Sequence, residues 1–204
     1  MTLPSITQAK KLLNSRCKAL KKIDKNIYNF FGHYLRVAEN AQMIAAHTAN
    51  LDPKKAYILG LLHDYGQADE QKGSKNFHGL SGYESMLKLG YDEVAQTCLT
   101  HSFFENDNIT PQVYHSYNPE AIMKCAKLLS THKFDDYDRL IHLSDLTATY
   151  RYPNSIEERF IYLKYKYHIS SEQVREKQNQ ALQLKHYFDE KCHEDVYKIL
   201  GIAA

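Results

Sequence analysis

The chain has 204 residues, of which 43% are hydrophobic and 25% are charged, and its formal net charge is +2 with histidine neutral. These proportions are ordinary for a soluble globular protein, and the balanced charge excludes the overall basic signature of a nucleic-acid-binding protein. The length suits one domain with a substantial core and is short for two.

The cysteines and the apolar runs bear on the cellular compartment. Cys17, Cys98, Cys125 and Cys192 are far apart and form no CxxC pair, which argues against a disulfide framework or a zinc ribbon and favours reduced thiols. The N-terminal sequence MTLPSITQAKKLL lacks the apolar core of a secretory signal, and the aliphatic run Ile58–Leu62 is too short to cross a bilayer. We therefore expect a cytoplasmic protein with no membrane partner.

Apolar residues at helical spacing predict helices over most of the chain. A first helix follows Ser5, and residues 33–49 place Val37, Ala41 and Ile44 on one face of a second helix. Asp52-Pro53 has the pattern of an N-cap followed by a first-turn proline, and the helix that it begins is expected to stop near Gly66. Residues 66–78 are polar and contain two glycines, so they are predicted to form a loop.

The second half of the chain continues in the same way. Helices are predicted at 81–89, with a capping box from Ser81 to Glu84, and at 91–102, followed by a second loop over 103–118. Later helices begin at Asn118-Pro119, near residue 136, at Ser155 with a second capping box to Glu158, and near 171 and 194. Since no segment alternates long enough for a strand, we predict one all-α helical bundle over residues 1–204.

Four polar residues in apolar surroundings form a candidate metal site. His63 and Asp64 end the most apolar run, His33 lies four residues before Val37 on a buried stripe, and Asp145 lies among leucines in LIHLSDL. Buried ionisable groups are costly unless they are paired or bind a metal. Two imidazoles and two carboxylates suit Mn, Fe, Co, Ni or Mg. The alternative is a set of buried polar residues that only hydrogen-bond to one another.

Two further histidines lie where the long loops meet helices. His78 ends the first loop and His101 precedes the second, and such positions are typical of binding residues. With both, the ligands suffice for two ions bridged by Asp64. The alternatives are a helix-capping role for His78 and stabilisation of a helix end by His101. His142, three residues before Asp145, is expected to be an exposed helical histidine, and the alternative is a partner that faces the same way as Asp145 and supports the site.

The ordered series His33, His63-Asp64 and Asp145 resembles the HD-domain superfamily of metal-dependent phosphohydrolases. GLLHDYGQ stands where that family has an LLHDIGK-like segment, and HGLSGYE, CLTHSFF, YDRLIHLSDL and IEERF resemble a bacterial subfamily of predicted phosphohydrolases. The resemblance implies a helical bundle of the HD type with a central metal site, a metal-binding core at about 30–150 and C-terminal helices over 155–200. It also implies that His33, His63, Asp64 and Asp145 are ligands, and that His78 and His101 match the extra histidines of two-metal relatives, which include the symmetrical dinucleoside tetraphosphate hydrolases.

The activity implied is attack of a metal-activated water on a phosphoester or phosphoanhydride of a small nucleotide-like substrate, with one or two divalent ions as cofactor. Asp64 is expected to act as ligand and proton acceptor, and Asp145 to fix the metal and orient the water. Cationic side chains should contact the phosphate, and the candidates are Arg36, Lys72, Lys75 and Arg151. Arg36 lies three residues after His33, on roughly the same side of its helix.

Two other functions stay open at this point. Gln67 stands where the family often has a lysine, which leaves room for a non-catalytic module that binds metal and nucleotide. A few HD relatives use a di-iron centre as an oxygenase, which the ligand set permits. A homodimer through the C-terminal helices is a further expectation. Nothing in the spacing of the 16 tyrosines predicts a stacking platform for bases.

Overall fold

The structure, a computed structural model, describes residues 2–21, 27–70, 77–167 and 170–203. These residues form an all-α fold without a β-strand, apart from an isolated antiparallel bridge between Ala148 and Pro153. The first helices are α1 Ile6–Lys21, α2 Ile27–Ala46, α3 Pro53–Leu62, α4 Gln67–Glu70, α5 His78–Lys88 and α6 Asp92–Thr100. The later ones are α7 Pro119–Leu129, α8 Asp136–Leu146, α9 Ile156–Tyr167, α10 Ser171–Cys192 and α11 Val196–Ile199.

Several predicted helix starts are confirmed by their caps. Asp52 accepts a hydrogen bond from the Lys54 amide at 2.8 Å, and Asn118 accepts one from the Glu120 amide at 3.0 Å. The capping box of α9 is also formed, because the Glu158 amide donates to Ser155 Oγ at 3.1 Å and the Ser155 amide donates to the Glu158 carboxylate at 3.2 Å. Local sequence therefore determines where these helices begin.

Two local predictions were wrong. The segment 66–78 is not all loop, since α4 occupies Gln67–Glu70, and α5 begins at His78 rather than at Ser81. Ser81 consequently lies inside α5, and Phe77 is the N-cap residue. Packing explains the earlier start: Phe77 is buried against Phe103, and tertiary contact outweighs the local capping signal.

One hydrophobic core joins the first helices to the last. It contains Val37 and Ile44 from α2, Leu61 from α3, Ile141 from α8 and Phe188 from α10, all fully or almost fully buried. A second apolar cluster around Phe77, Leu99, Phe103 and Ile122 joins α5, α6 and α7. Within the described ranges, no helix is long and apolar enough to cross a membrane.

The helices α2 and α3 cross closely beside the candidate site. A Cβ atom on Gly60 would lie 2.9 Å from Ala38 Cα, so only glycine allows these two backbones to meet at this distance. Because His33 lies on α2 and His63 follows α3, this contact brings the two imidazoles together. Their ring centroids are 5.4 Å apart.

Candidate metal centre

His63 and His101 are oriented by the same backbone device. The Nδ1 atom of His63 donates to the Gly60 carbonyl oxygen at 2.7 Å, and Nδ1 of His101 donates to the Cys98 carbonyl oxygen at 2.9 Å. A carbonyl oxygen can only accept, so each Nδ1 carries the proton and each Nε2 keeps its lone pair. Such hydrogen bonds on the far nitrogen are typical of metal-binding histidines.

Asp64 lies at the centre of the candidate site. Its Oδ1 is 3.2 Å from His78 Nε2 and 3.1 Å from His101 Nε2, while its Oδ2 is 3.7 Å from His63 Nε2. α3 ends at Leu62, and His63 and Asp64 belong to the turn that follows it. The distances show that both side chains reach the same cluster from this turn.

His78 and Asp145 complete the cluster from two further helices. The first residue of α5 is His78, whose Nε2 lies 3.3 Å from His101 Nε2. Asp145, near the end of α8, places Oδ1 3.0 Å from His33 Nε2 and 3.9 Å from His63 Nε2. The structure thus brings together all six residues that were predicted as metal ligands.

The described residues contain two groups whose ligand atoms lie within 4.8 Å of one another. One is His33, His63 and Asp64, and the other is Asp64, His78 and His101. Both groups contain Asp64, whose two carboxylate oxygens can serve two ions. A centre of two divalent ions bridged by Asp64 fits this arrangement, and imidazole with carboxylate is a donor set for Mn, Fe, Co, Ni or Mg.

The hydrogen bonding of the cluster also fits a metal. His63 Nε2 and Asp64 Oδ1 are buried and make no hydrogen bond, and His101 Nε2, 3.1 Å from Oδ1, carries a lone pair and cannot donate to it. A buried polar atom without a partner costs about 1–3 kcal/mol. Cations held by the two ligand groups would supply the missing interactions, because His63 belongs to one group and Asp64 belongs to both. The alternative, in which the residues only hydrogen-bond to one another, does not account for the two unpaired atoms.

The protonation states are those that ligation requires. Burial lowers the pKa of His63 to about 4, although Asp64 partly opposes this shift. For Asp64, burial raises the pKa, but interactions with the neighbouring imidazoles of His63, His78 and His101 favour the carboxylate more strongly, and the net pKa lies well below the usual range. The pKa of Asp145 is lowered in the same way, with burial opposed chiefly by His33 and also by Arg159.

A cavity of about 870 Å³ opens over the centre, and five of the six predicted ligands line it: His33, Asp64, His78, His101 and Asp145. Its volume is within the range of small-molecule sites. Ser102 also lines it, with Oγ 3.0 Å from His101 Nε2. Gln67, which stands at the position of the family lysine, lines the same cavity at the start of α4. A ligand in the cavity would therefore contact the cluster directly.

Of the four residues predicted to bind phosphate, one lines the cavity, one does not, and two lie outside the described residues. Arg151 lines the cavity. Arg36 is not among the lining residues, because its guanidinium donates to the Arg151 carbonyl oxygen at 3.2 Å and pairs with Glu39 at 2.9 Å. Lys72 and Lys75 lie outside the described residues.

Sequence reasoning missed Arg159. This arginine lines the cavity with Nη2 3.9 Å from Asp145 Oδ1, and its Nε is buried without a hydrogen-bond partner. The motif IEERF contributed a capping box and part of the family resemblance, and neither assigned a role to its arginine. The capping box fixes the first turn of α9, which contains Arg159, but nothing in the sequence places that turn beside Asp145.

His142 was expected to be exposed, and this was wrong. It is only 7% exposed and stacks beside Phe104, with ring centroids 4.3 Å apart. Burial lowers the pKa of His142 to about 4. It lines a separate cavity of about 230 Å³ between α8 and α10, away from the six ligands.

Comparison with known proteins gives one match. The sequence model of a protein family described as HD domain matches residues 30–150. The matched range contains all six residues of the cluster and ends one residue before Arg151. No curated protein and no solved structure matches the chain.

Proposed function

Because the chain belongs to the HD domain family, which consists in general of metal-dependent hydrolases, we propose that it is a metal-dependent phosphohydrolase. The reaction proposed is hydrolysis of a phosphoester or phosphoanhydride in a small, nucleotide-like substrate. The proposed cofactor is a pair of divalent ions drawn from Mn, Fe, Co, Ni and Mg.

The observation that carries this proposal is the sharing of Asp64 by two groups of metal ligands beneath an open cavity. Pairs of divalent ions joined by a carboxylate are the common device for displacement at phosphorus. When bound, such ions acidify water and offset the charge on phosphoryl oxygens. The two unpaired atoms, His63 Nε2 and Asp64 Oδ1, support the presence of cations at these positions.

The surrounding side chains have defined roles in this proposal. The carbonyl oxygens of Gly60 and Cys98 hold His63 and His101 in the tautomer that binds metal. Asp145, kept ionised by its neighbours, orients the attacking water through Oδ1. Arg159 binds the phosphoryl group, since its guanidinium is next to Asp145 and lines the cavity.

The experiment is phosphate release from a panel of nucleotides, dinucleoside polyphosphates, cyclic nucleotides and sugar phosphates, each with Mn, Fe(II), Co, Ni or Mg. Asp64→Ala is compared with wild type, and Asp92→Ala is the matched control because Asp92 is an exposed carboxylate at the start of α6. We expect release from one substrate class, loss of at least a hundredfold in Asp64→Ala and no change in Asp92→Ala. The proposal would be overturned if metal-containing wild type released no phosphate from any substrate of the panel, or if Asp64→Ala were fully active.

A further inference from the structure

Three tyrosines, two on the turn after α8 and one on α9, line the cavity over the metal centre. Tyr150, Tyr152 and Tyr162 line it and are 41%, 58% and 51% exposed, respectively. We call these three residues the tyrosine wall. Large aromatic side chains gathered at the mouth of a cavity are a marker of ligand binding rather than of core packing.

The part of the wall between α8 and α9 is held rigid by a tight turn. The bridge between Ala148 and Pro153 closes the turn, and Thr149 Oγ1 accepts hydrogen bonds from the amides of Arg151 and Tyr152 at 3.2 and 3.1 Å. The same hydroxyl donates to the Tyr152 carbonyl oxygen at 2.7 Å. A preorganised surface of this kind loses little conformational entropy when a ligand binds.

The turn is docked directly beside a metal ligand. A Cβ atom on Gly32 would lie 2.4 Å from the Tyr150 carbonyl oxygen, so the turn rests on α2 at the residue before His33. Arg36 holds it there from the next helical turn through the Arg151 carbonyl oxygen. Tyr162 lies on α9 three residues after Arg159, which approaches Asp145. The wall and the metal centre are therefore parts of one site.

Charge and hydrogen-bonding groups accompany the rings. The Arg151 guanidinium lies 4.9 Å from the Tyr150 ring centroid, and Lys166 Nζ lies 5.4 Å from that of Tyr162. Asn154, which lines the same cavity, is only 4% exposed, and its Oδ1 has no hydrogen-bond partner. Flat rings, cations and an unpaired acceptor match a ligand that is planar, anionic and able to donate hydrogen bonds.

We propose that the tyrosine wall binds the nucleobase of the substrate, which makes the substrate a nucleotide rather than a sugar phosphate. Every base has a π-face that can stack on an aromatic side chain. The exocyclic amino group of a base can also donate a hydrogen bond to the unpaired Asn154 Oδ1. The proposal rests on the proposed function for the phosphate end of the ligand. It adds the residues that would bind the base, at the opposite end of the ligand from the phosphate.

The test compares two ligands that differ only by the base, AMP and ribose 5-phosphate, on the full-length protein with Mn(II). Kd is measured by calorimetric titration, phosphate release is followed in parallel, and KM is used where turnover occurs. The variants are Tyr152→Leu and Tyr162→Leu, which remove the ring and keep an apolar side chain. Tyr165→Leu is the matched control, because Tyr165 lies on the same helix as Tyr162, is 76% exposed and is not among the cavity-lining residues.

We expect wild type to bind AMP about tenfold more tightly than ribose 5-phosphate, a preference typical of one stacked base. Each wall variant should weaken AMP binding about fivefold and leave ribose 5-phosphate unchanged, and Tyr165→Leu should change neither. Equal binding of the two ligands by wild type, or equal losses for both in the wall variants, would overturn the inference. Base preference without phosphate release would overturn only the proposed hydrolysis, and release without base preference would overturn only the role of the wall.

Discussion

At the scale of single residues, Arg36 and Arg159 show what spacing can and cannot predict. Arg36 was selected because it lies one helical turn from His33, yet three residues turn a helix by about 300°, which leaves a 60° offset. That offset places its guanidinium against Glu39 and the Arg151 carbonyl oxygen instead of in the cavity. Arg159 is distant in sequence from every ligand, and only the packing of α9 beside Asp145 reveals it.

Replacement of Arg159 tests its proposed contact with phosphate. Arg159→Met keeps a long apolar side chain and removes the guanidinium, so we expect kcat/KM for the best substrate to fall about a hundredfold. The matched control is Arg175→Met, since Arg175 is exposed on α10. Steady-state phosphate release measures both variants. Activity of Arg159→Met at the level of the control would show that the arginine does not contact the reacting group.

His142 provides a prediction for stability against pH. Burial disfavours the imidazolium and lowers the pKa of His142 from its ordinary value of 6.5 to about 4 in the folded protein. Between these values the unfolded chain binds a proton that the folded chain does not, so stability is full above pH 6.5 and falls as the pH drops to about 4. The contribution of this residue amounts to roughly 3 kcal/mol.

The measurement is guanidinium unfolding of metal-free wild type and His142→Phe at pH 7.5 and pH 4.5. The variant cannot bind the proton, so its free energy of unfolding should fall by less than that of wild type over this interval. Parallel losses in the two proteins would mean that His142 is protonated equally in both states.

At the scale of helices, local signals located the starts and tertiary contacts determined the exceptions. Asp52, Asn118 and the pair Ser155 and Glu158 form the predicted caps, because capping needs only residues close in sequence. The early start of α5 depends on Phe77 meeting Phe103, which no local pattern contains. His78 is the first residue of this helix, so the sequence could name it as a candidate ligand but could not predict where its side chain would lie.

The crossing of α2 and α3 can be tested through Gly60. In Gly60→Ala the new Cβ would lie 2.9 Å from the Ala38 backbone, which must force α3 away from α2. We expect a loss of about 1–3 kcal/mol in stability and, because His63 moves away from His33, a loss of at least tenfold in Mn(II) affinity. Thermal unfolding and calorimetric titration with Mn(II) give the two quantities.

Ile44→Val is the control for destabilisation alone. Ile44 is fully buried on α2, and its shortening leaves space without pushing the helices apart, at about 0.5–1.5 kcal/mol. It should therefore lower the melting temperature and leave Mn(II) affinity unchanged. If Gly60→Ala bound Mn(II) as tightly as Ile44→Val does, the close crossing would not be what positions the histidines.

At the scale of the whole molecule, one core extends beyond the range matched by the HD domain model. Phe188 on α10 is fully buried in the same cluster as Ile44, and Cys192 Sγ lies 3.3 Å from Thr48 Oγ1 across 144 positions of sequence. We therefore predict that the 204 residues unfold as one domain. Far-ultraviolet circular dichroism and tyrosine absorbance should give a single coincident transition in guanidinium. Two separated transitions would place the C-terminal helices in an independent unit.

Sequence alone predicted the class of fold and named all six residues that the structure brings into the cluster. Four of them are ionisable groups in apolar helical segments, whereas His78 and His101 were selected from their positions between loops and helices and from the family resemblance. It did not predict the cavity wall. Tyr150 and Tyr152 lie on a turn, and Tyr162 lies on α9. The turn reaches the metal centre through the contact of the Tyr150 carbonyl oxygen with Gly32, and α9 reaches it through the approach of Arg159 to Asp145. Long-range contacts of this kind leave no periodic signal in the chain.

We propose that two divalent ions bind to this cluster and share Asp64. The most direct test is to load the protein with Mn(II), dialyse it, and measure its metal content by mass spectrometry. We predict two ions per chain in wild type, one in His101→Ala, which keeps the group of His33, His63 and Asp64, and fewer than one in Asp64→Ala. The exposed His186→Ala should match wild type. Absence of stoichiometric metal from wild type, or two ions in Asp64→Ala, would contradict the account.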